Sequence, residues 1–132
     1  MVRVENDGNC LYRAISYQVY GDVRHYKLVR QKCMDYVHLN GKYFIEFVDT
    51  DRYNGIRDYV EQNRRDKVWG DNLEIQAMAE LYDIPVEIYE YKVQPERVFN
   101  EQATRSKVSQ PGAILRLSFH RGNHYNAVVP KS

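Results

Sequence analysis

Apolar positions recur every three or four residues through the first two thirds of this chain and close to every second residue after Pro85, so the pattern predicts helices first and strands last. In Cys10 to Tyr20, Leu11, Ala14, Ile15 and Val19 share one helical face, and Gly21-Asp22 closes the segment. A second helix is predicted from about His25 to Leu39, with Leu28, Val29, Cys33, Tyr36 and Val37 on its stripe and Asn40-Gly41 at its end. Gly41 to Asn63 reads as one or two short helices, followed by a charged run and the loop Trp69-Gly70. Asp71 stands three residues before Glu74, the spacing of a capping box, and so starts a helix over Asn72 to Tyr82. Val86, Ile88, Tyr89 and Tyr91 form a β-rich run between Pro85 and Pro95, and Arg97 to Phe99 adds a short strand. After a polar loop from Asn100 to Gly112, Ile114 to Phe119 and His124 to Val129 read as an antiparallel hairpin around Arg121-Gly122-Asn123. The expected class is α+β, with helices packed around a small, mainly antiparallel sheet.

The 132 residues suffice for one hydrophobic core, and a single domain spanning 1–132 is expected. With 19 Lys+Arg against 18 Asp+Glu the formal charge is +1, and no long run of one sign calls for nucleic acid or an anionic membrane. No membrane span or signal segment is evident, so a soluble chain is expected. Two cysteines, Cys10 and Cys33, are too few for a disulfide scaffold and have no zinc-site spacing, which fits a reducing compartment. Twelve tyrosines are many for this length, but in periodic segments they read as packed rings with hydroxyls at the surface.

Cys10 is the most loaded position. It opens a helix, where free amides and the positive end of the helix dipole favour a thiolate, so its pKa is expected to be lowered. The polar turn Asn6-Asp7-Gly8-Asn9 precedes it, and Gly8 permits a backbone path that aims amides at one point beside the sulfur. Of the four histidines, His25 and His38 flank a helix, while His120 and His124 bracket the hairpin turn. His124 is the better base because Asn126 leaves the same face of the strand at i+2. Its amide oxygen is expected to hold the Nδ1 proton and leave Nε2 for the sulfur. Taken alone, Cys10 also reads as a small apolar residue and His124 as a solvent-facing one, and the pattern leaves both readings open.

The string Asp7-Gly8-Asn9-Cys10-Leu11-Tyr12-Arg13-Ala14 resembles the nucleophile motif of OTU (ovarian tumour) deubiquitinases. The run from Trp69 to Ala79, the strand Pro85 to Tyr89 and His124-Tyr125-Asn126-Ala127-Val128 resemble three further family motifs, in family order. Together they span residues 7 to 129. The strings CMDY and EIQAMAE resemble one subgroup of human OTU-domain enzymes.

The resemblance implies a papain-like cysteine protease fold and cleavage of the isopeptide bond at the C-terminus of ubiquitin or polyubiquitin. It implies Cys10 as nucleophile, His124 as general base, and Asp7 or Asn126 as third residue, strand geometry favouring Asn126. Gly8 and Asn9 belong to the implied oxyanion turn. Trp69 and Gly70 are candidates to wall a narrow channel for the glycine-ended tail, with core packing the other reading of Trp69. Tyr12 stands where family members carry Phe, so its hydroxyl must find a partner if buried. The mixed, aromatic segment Lys42 to Arg65 is a candidate ubiquitin-facing surface, a solvated helix being the default reading. Covalent thiol catalysis needs no metal or organic cofactor. A monomer in the cytoplasm, with the nucleus also open, is expected. The competing readings are an inactive ubiquitin-binding module, a protease for a ubiquitin-like modifier, and a structural helical domain.

Overall fold

A computed structural model describes residues 7–90, 94–103, 114–120 and 124–128. The expected strand end at Tyr91, the loop 104–112, the turn 121–123 and Val129 lie outside them. The elements in chain order are α1 (Cys10–Tyr20), α2 (Tyr26–Leu39), α3 (Gly41–Phe44), α4 (Gly55–Asn63), α5 (Asn72–Leu81), β1 (Val86–Tyr89), β2 (Arg97–Phe99), β3 (Leu115–His120) and β4 (His124–Val128). Short 3₁₀ turns at Val23–His25 and Ile45–Phe47 complete the described structure.

The first half of α1 is buried almost all round. Cys10, Leu11, Tyr12, Ala14, Ile15 and Ser16 are covered because α1 packs on α2, on β4 and on the turn Val23–His25. Removing a side chain such as Leu11 or Ile15 from water contributes about 1.5–3 kcal/mol. The helix stops at Gly21, whose φ of 76° few other residues adopt and whose N–H donates to the Tyr17 carbonyl at 2.9 Å.

The buried stripe of α2 differs from the expected one. It is Val29, Arg30, Cys33, Met34 and Val37, while Leu28 is 45% exposed. At 100° per residue Leu28 lies opposite the centre of that set, and Arg30 lies within it. The stripe faces α1, α4 and α5. In α5 the expected capping pair forms on its Glu74 side, with Glu74 Oε1 accepting the Asp71 N–H at 2.8 Å. Glu74 is itself buried and also accepts from the Tyr59 hydroxyl, so α5 is joined to α4.

The sheet order is β2-β1-β3-β4. Two of its three pairings are antiparallel, as expected, and the central pair, β1 with β3, is parallel with Val86 opposite Leu115. The parallel pair needs a long crossover, and the hairpin partner β4 is thereby left at the edge, where α1 covers it. That placement brings the fourth sequence motif beside the first.

Tyr12 departs from expectation. Its ring is fully buried under the Arg30 guanidinium, 4.1 Å from the ring centroid, but its hydroxyl has no hydrogen-bond partner among the described residues. A Cβ on Gly70 would sit 2.8 Å from that hydroxyl, so the glycine is required by close approach. An unsatisfied buried hydroxyl costs about 1–3 kcal/mol. Tyr12→Phe is therefore expected to raise the melting temperature, and Gly70→Ala to cost less stability when combined with Tyr12→Phe than alone. Thermal denaturation of the two single variants and the double variant measures both effects.

Candidate active site

Cys10 is the first residue of α1 and is wholly shielded from solvent. Its N–H donates to the Asp7 carbonyl at 3.2 Å, and the Arg13 N–H to the Asn9 carbonyl at 2.9 Å opens the helical ladder. Around the sulfur, the backbone N–H groups of Tyr125 and Leu11 and the side chain of Trp69 donate to it and favour the thiolate. Burial outweighs them. It pushes the Cys10 thiol up, with the nearby Asp7 carboxylate acting in the same direction. The expectation of a thiolate held by the helix end is thus reversed, because desolvation penalises the charged form more than the surrounding dipoles stabilise it.

His124 starts β4, one residue from the Tyr125 amide that meets the sulfur. His124 and Asn126 pair as the i+2 spacing predicted, but through the other ring nitrogen: Nε2 donates to Asn126 Oδ1 at 2.9 Å. Nδ1 is buried and has no hydrogen-bond partner among the described residues. The reason is local: Nε2 lies at the far end of the ring and is the nitrogen that reaches an i+2 side chain on the same strand face. With its proton on Nε2, the imidazole carries its lone pair on Nδ1 and is a base. Asn126 is 5% exposed. Across the hairpin, His120 faces His124 and Ser118 faces Asn126, and His120 Nε2 and Ser118 Oγ form a parallel pair at 2.8 Å.

Asp7 does not join the histidine. Its carboxylate accepts the Asn9 N–H at 3.0 Å and an Arg13 N–H at 2.5 Å. Partial burial would raise its pKa, but the Arg13 guanidinium and the Asn9 amide together hold the carboxyl below its usual value. Asp7 is therefore a turn former tied to α1. Gly8 lies in the turn before Cys10. Its φ is not in the left-handed region, and its requirement is space, since a Cβ there would fall 1.5 Å from the Lys67 carbonyl oxygen.

Asn9 is 1% exposed and faces away from solvent into the loop before Trp69. Its Oδ1 accepts from the Lys67 N–H at 3.0 Å and from Arg30 at 2.7 Å, and its Nδ2 donates to Asp66 at 2.8 Å. Sequence reasoning missed Arg30. The available signal was its register on α2, three residues before Cys33 and seven before Val37, a basic residue in line with apolar ones.

Trp69 is half-buried and stacks on Tyr125 with ring centroids 5.7 Å apart, next to Phe119 at 6.1 Å. It borders the thiol, as a wall would, and packs into the β3–β4 aromatic layer as well. Gly70 is buried against Leu11 and Tyr12, on the packed side of the loop. The Tyr125 hydroxyl donates to Asp71 at 2.9 Å and accepts from Arg97 at 3.2 Å, fixing the histidine strand to the start of α5. Among the described residues no group of three or more His, Cys, Asp or Glu could hold a metal ion.

Comparison with known proteins points to one family. The family model described as "OTU-like cysteine protease" matches residues 5–125. An Arabidopsis thaliana protein named OVARIAN TUMOR DOMAIN-containing deubiquitinating enzyme 6 is 46% identical over 127 residues, covering 96% of this chain and 23% of its own length. Human OTU domain-containing protein 5 is 38% identical, with 96% and 22% covered, in line with the subgroup resemblance. The chain thus spans under a quarter of the length of these relatives. Among solved structures, an OTU domain in complex with ubiquitin superposes with a TM-score of 0.69 at 22% identity, covering 95% of this chain and 66% of that one. The order of the motifs, the fold that brings the first and last of them together and the family match over residues 5–125 establish that this chain belongs to the OTU-like cysteine protease family.

Proposed function

We propose that the chain is the catalytic domain of a deubiquitinase, hydrolysing the isopeptide bond at the C-terminus of ubiquitin to remove or trim ubiquitin chains. The observation that carries this is the His124–Asn126 pair, with a buried Nδ1 unpartnered among the described residues, on the strand whose Tyr125 amide meets the Cys10 sulfur. The names of its relatives and the ubiquitin complex of a fold neighbour supply the substrate class.

In this reading His124 Nδ1 takes the proton of the Cys10 thiol as the sulfur attacks the carbonyl carbon of the terminal glycine. Because burial holds the thiol neutral at rest, proton transfer and attack are coupled. The negative charge that develops on the carbonyl oxygen falls to amides of the turn 7–10. The Asn9 N–H is already donated to the Asp7 carboxylate, so the better donors are the Gly8 N–H, which has no partner among the described residues, and the Cys10 N–H with its longer 3.2 Å contact. The imidazolium then protonates the departing lysine amine, leaving a thioester. Water deprotonated by His124 hydrolyses it and frees the ubiquitin carboxylate and the thiol. Asn126 is assigned as the orienting residue, and Asp7 shapes the turn. Trp69 lines the approach to the thiol. Both cysteines are unpaired, which fits a reducing compartment, cytoplasmic or nuclear, and a monomer is the proposed state.

Cys10→Ser and His124→Ala are expected to lower turnover of a fluorogenic ubiquitin C-terminal amide by about 10³-fold or more with melting temperatures retained. Asn126→Ala is expected to cost about 10²-fold through a misplaced imidazole. An inactive Asp7→Ala beside a silent Asn126→Ala would reverse the assignment of the third residue. A ubiquitin probe with an electrophilic C-terminus should label the wild type and not Cys10→Ala. No labelling would leave a binding module, and preference for another modifier's probe would change the substrate.

The raised thiol also predicts a pH dependence. Without a base, Cys10 ionises only above the usual thiol range, so iodoacetamide alkylation of His124→Ala should be slow at neutral pH and rise on the alkaline side. Wild-type alkylation should be faster than this at neutral pH, and Cys33, pushed higher still by complete burial, should stay unreacted in both. Identical profiles for the two proteins would remove His124 as the base.

A further inference from the structure

The polar groups around Cys10 lead to one side chain outside all four motifs. Arg30, from the middle of α2, is 3% exposed. Its guanidinium donates to the Asn63 carbonyl at 2.8 Å, the Val68 carbonyl at 2.8 Å, the Gly8 carbonyl at 3.2 Å and Asn9 Oδ1 at 2.7 Å. Its fifth contact is the face of Tyr12. All four acceptors are neutral, and no carboxylate pairs with Arg30 among the described residues. A buried charge without a counter-ion is costly to place. Only a planar fork with five N–H donors meets this set of acceptors while lying flat on a ring.

The acceptors belong to three segments that have no regular structure in common: the turn before Cys10, the end of α4 and the residue before Trp69. Through Arg30 they share one centre. The consequence is sharpest at the Gly8–Asn9 peptide. Its carbonyl is held by Arg30 and its N–H by the Asp7 carboxylate at 3.0 Å, so both ends of one planar unit are clamped. With that plane fixed, the amides on either side of it, those of Gly8 and Cys10, have little freedom left.

We propose that Arg30 is a positioning residue for the thiol-protease reaction, clamping the peptide that sets the oxyanion-holding amides and tying it to the Trp69 loop. This rests on the proposed deubiquitinase reading. Arg30 touches neither the sulfur nor the imidazole, so its effect falls on the step in which charge develops on the substrate carbonyl, and leaves ubiquitin binding and thiol ionisation in place.

The test uses this chain with Arg30→Lys, which keeps the charge and loses the fork, and Asn9→Ala, which removes one acceptor and leaves the guanidinium. Each is compared with wild type in kcat and KM on the fluorogenic ubiquitin amide, in the pH profile of Cys10 alkylation, and in amide hydrogen exchange at residues 8–10. The expected result is a kcat lower by about 10- to 100-fold with KM within about twofold. Alkylation should keep its pH profile, because displacement of iodide needs no oxyanion site, and exchange at residues 8–10 should accelerate while that of α5 does not. Full kcat in both variants overturns the proposal, as does a fall in kcat matched by equal losses in alkylation or KM. Should Arg30→Lys melt below the assay temperature, Asn9→Ala decides by the same criteria. A wild type without turnover removes the deubiquitinase reading, and the exchange measurement then judges the clamp alone, unchanged exchange overturning it.

Discussion

The guanidinium of Arg30 is the interaction on which the site end of the molecule depends. Four neutral oxygens from three unconnected segments converge on it, and it lies on the Tyr12 ring beneath the first turn of α1. A buried charge tolerates little displacement of its acceptors, since each lost hydrogen bond leaves uncompensated desolvation. The turn before Cys10 and the loop before Trp69 are in this way made parts of one rigid piece, although neither is helix or sheet.

The other half of the site arrives through the sheet. Parallel pairing of β1 with β3 places β4 at the edge, α1 covers β4, and the Tyr125 hydroxyl bonds Asp71 at the head of α5. Cysteine and histidine therefore come from opposite ends of the described chain but rest on the same small set of contacts. The close packing of Lys67 on Gly8 and of Gly70 on Tyr12 leaves no room for a Cβ at either glycine. Both glycines are required by the approach of a neighbouring segment, and neither by a left-handed backbone.

Electrostatics at the site reflect a competition that burial wins. Three donors surround the Cys10 sulfur at a helix entrance, an arrangement that would hold a thiolate in a solvated setting, but complete shielding raises the thiol instead. On β4, His124 presents an Nδ1 without a partner among the described residues and keeps its other nitrogen on Asn126. For the proposed chemistry this means a neutral thiol at rest, with charge separation delayed until substrate supplies the electrophile and the turn amides supply the compensating dipoles.

By itself the amino-acid sequence determined the elements. Helical and strand periodicities, the stop at Gly21 and the Asp71–Glu74 cap are local, and local spacing is enough to specify them. It also marked Cys10, His124 and Asn126, since an i+2 pair on a strand shares a face whatever the rest of the chain does. The tertiary structure alone decided which ring nitrogen of His124 is left without a partner among the described residues, because that depends on how α1 covers β4. It decided that Asp7 pairs with Arg13 and that Tyr12 keeps an unsatisfied hydroxyl. It also turned Arg30, a charged residue within an apolar stripe, into the centre of the site's support. Each of these depends on contacts between residues far apart in sequence, and no periodicity within a single element encodes them.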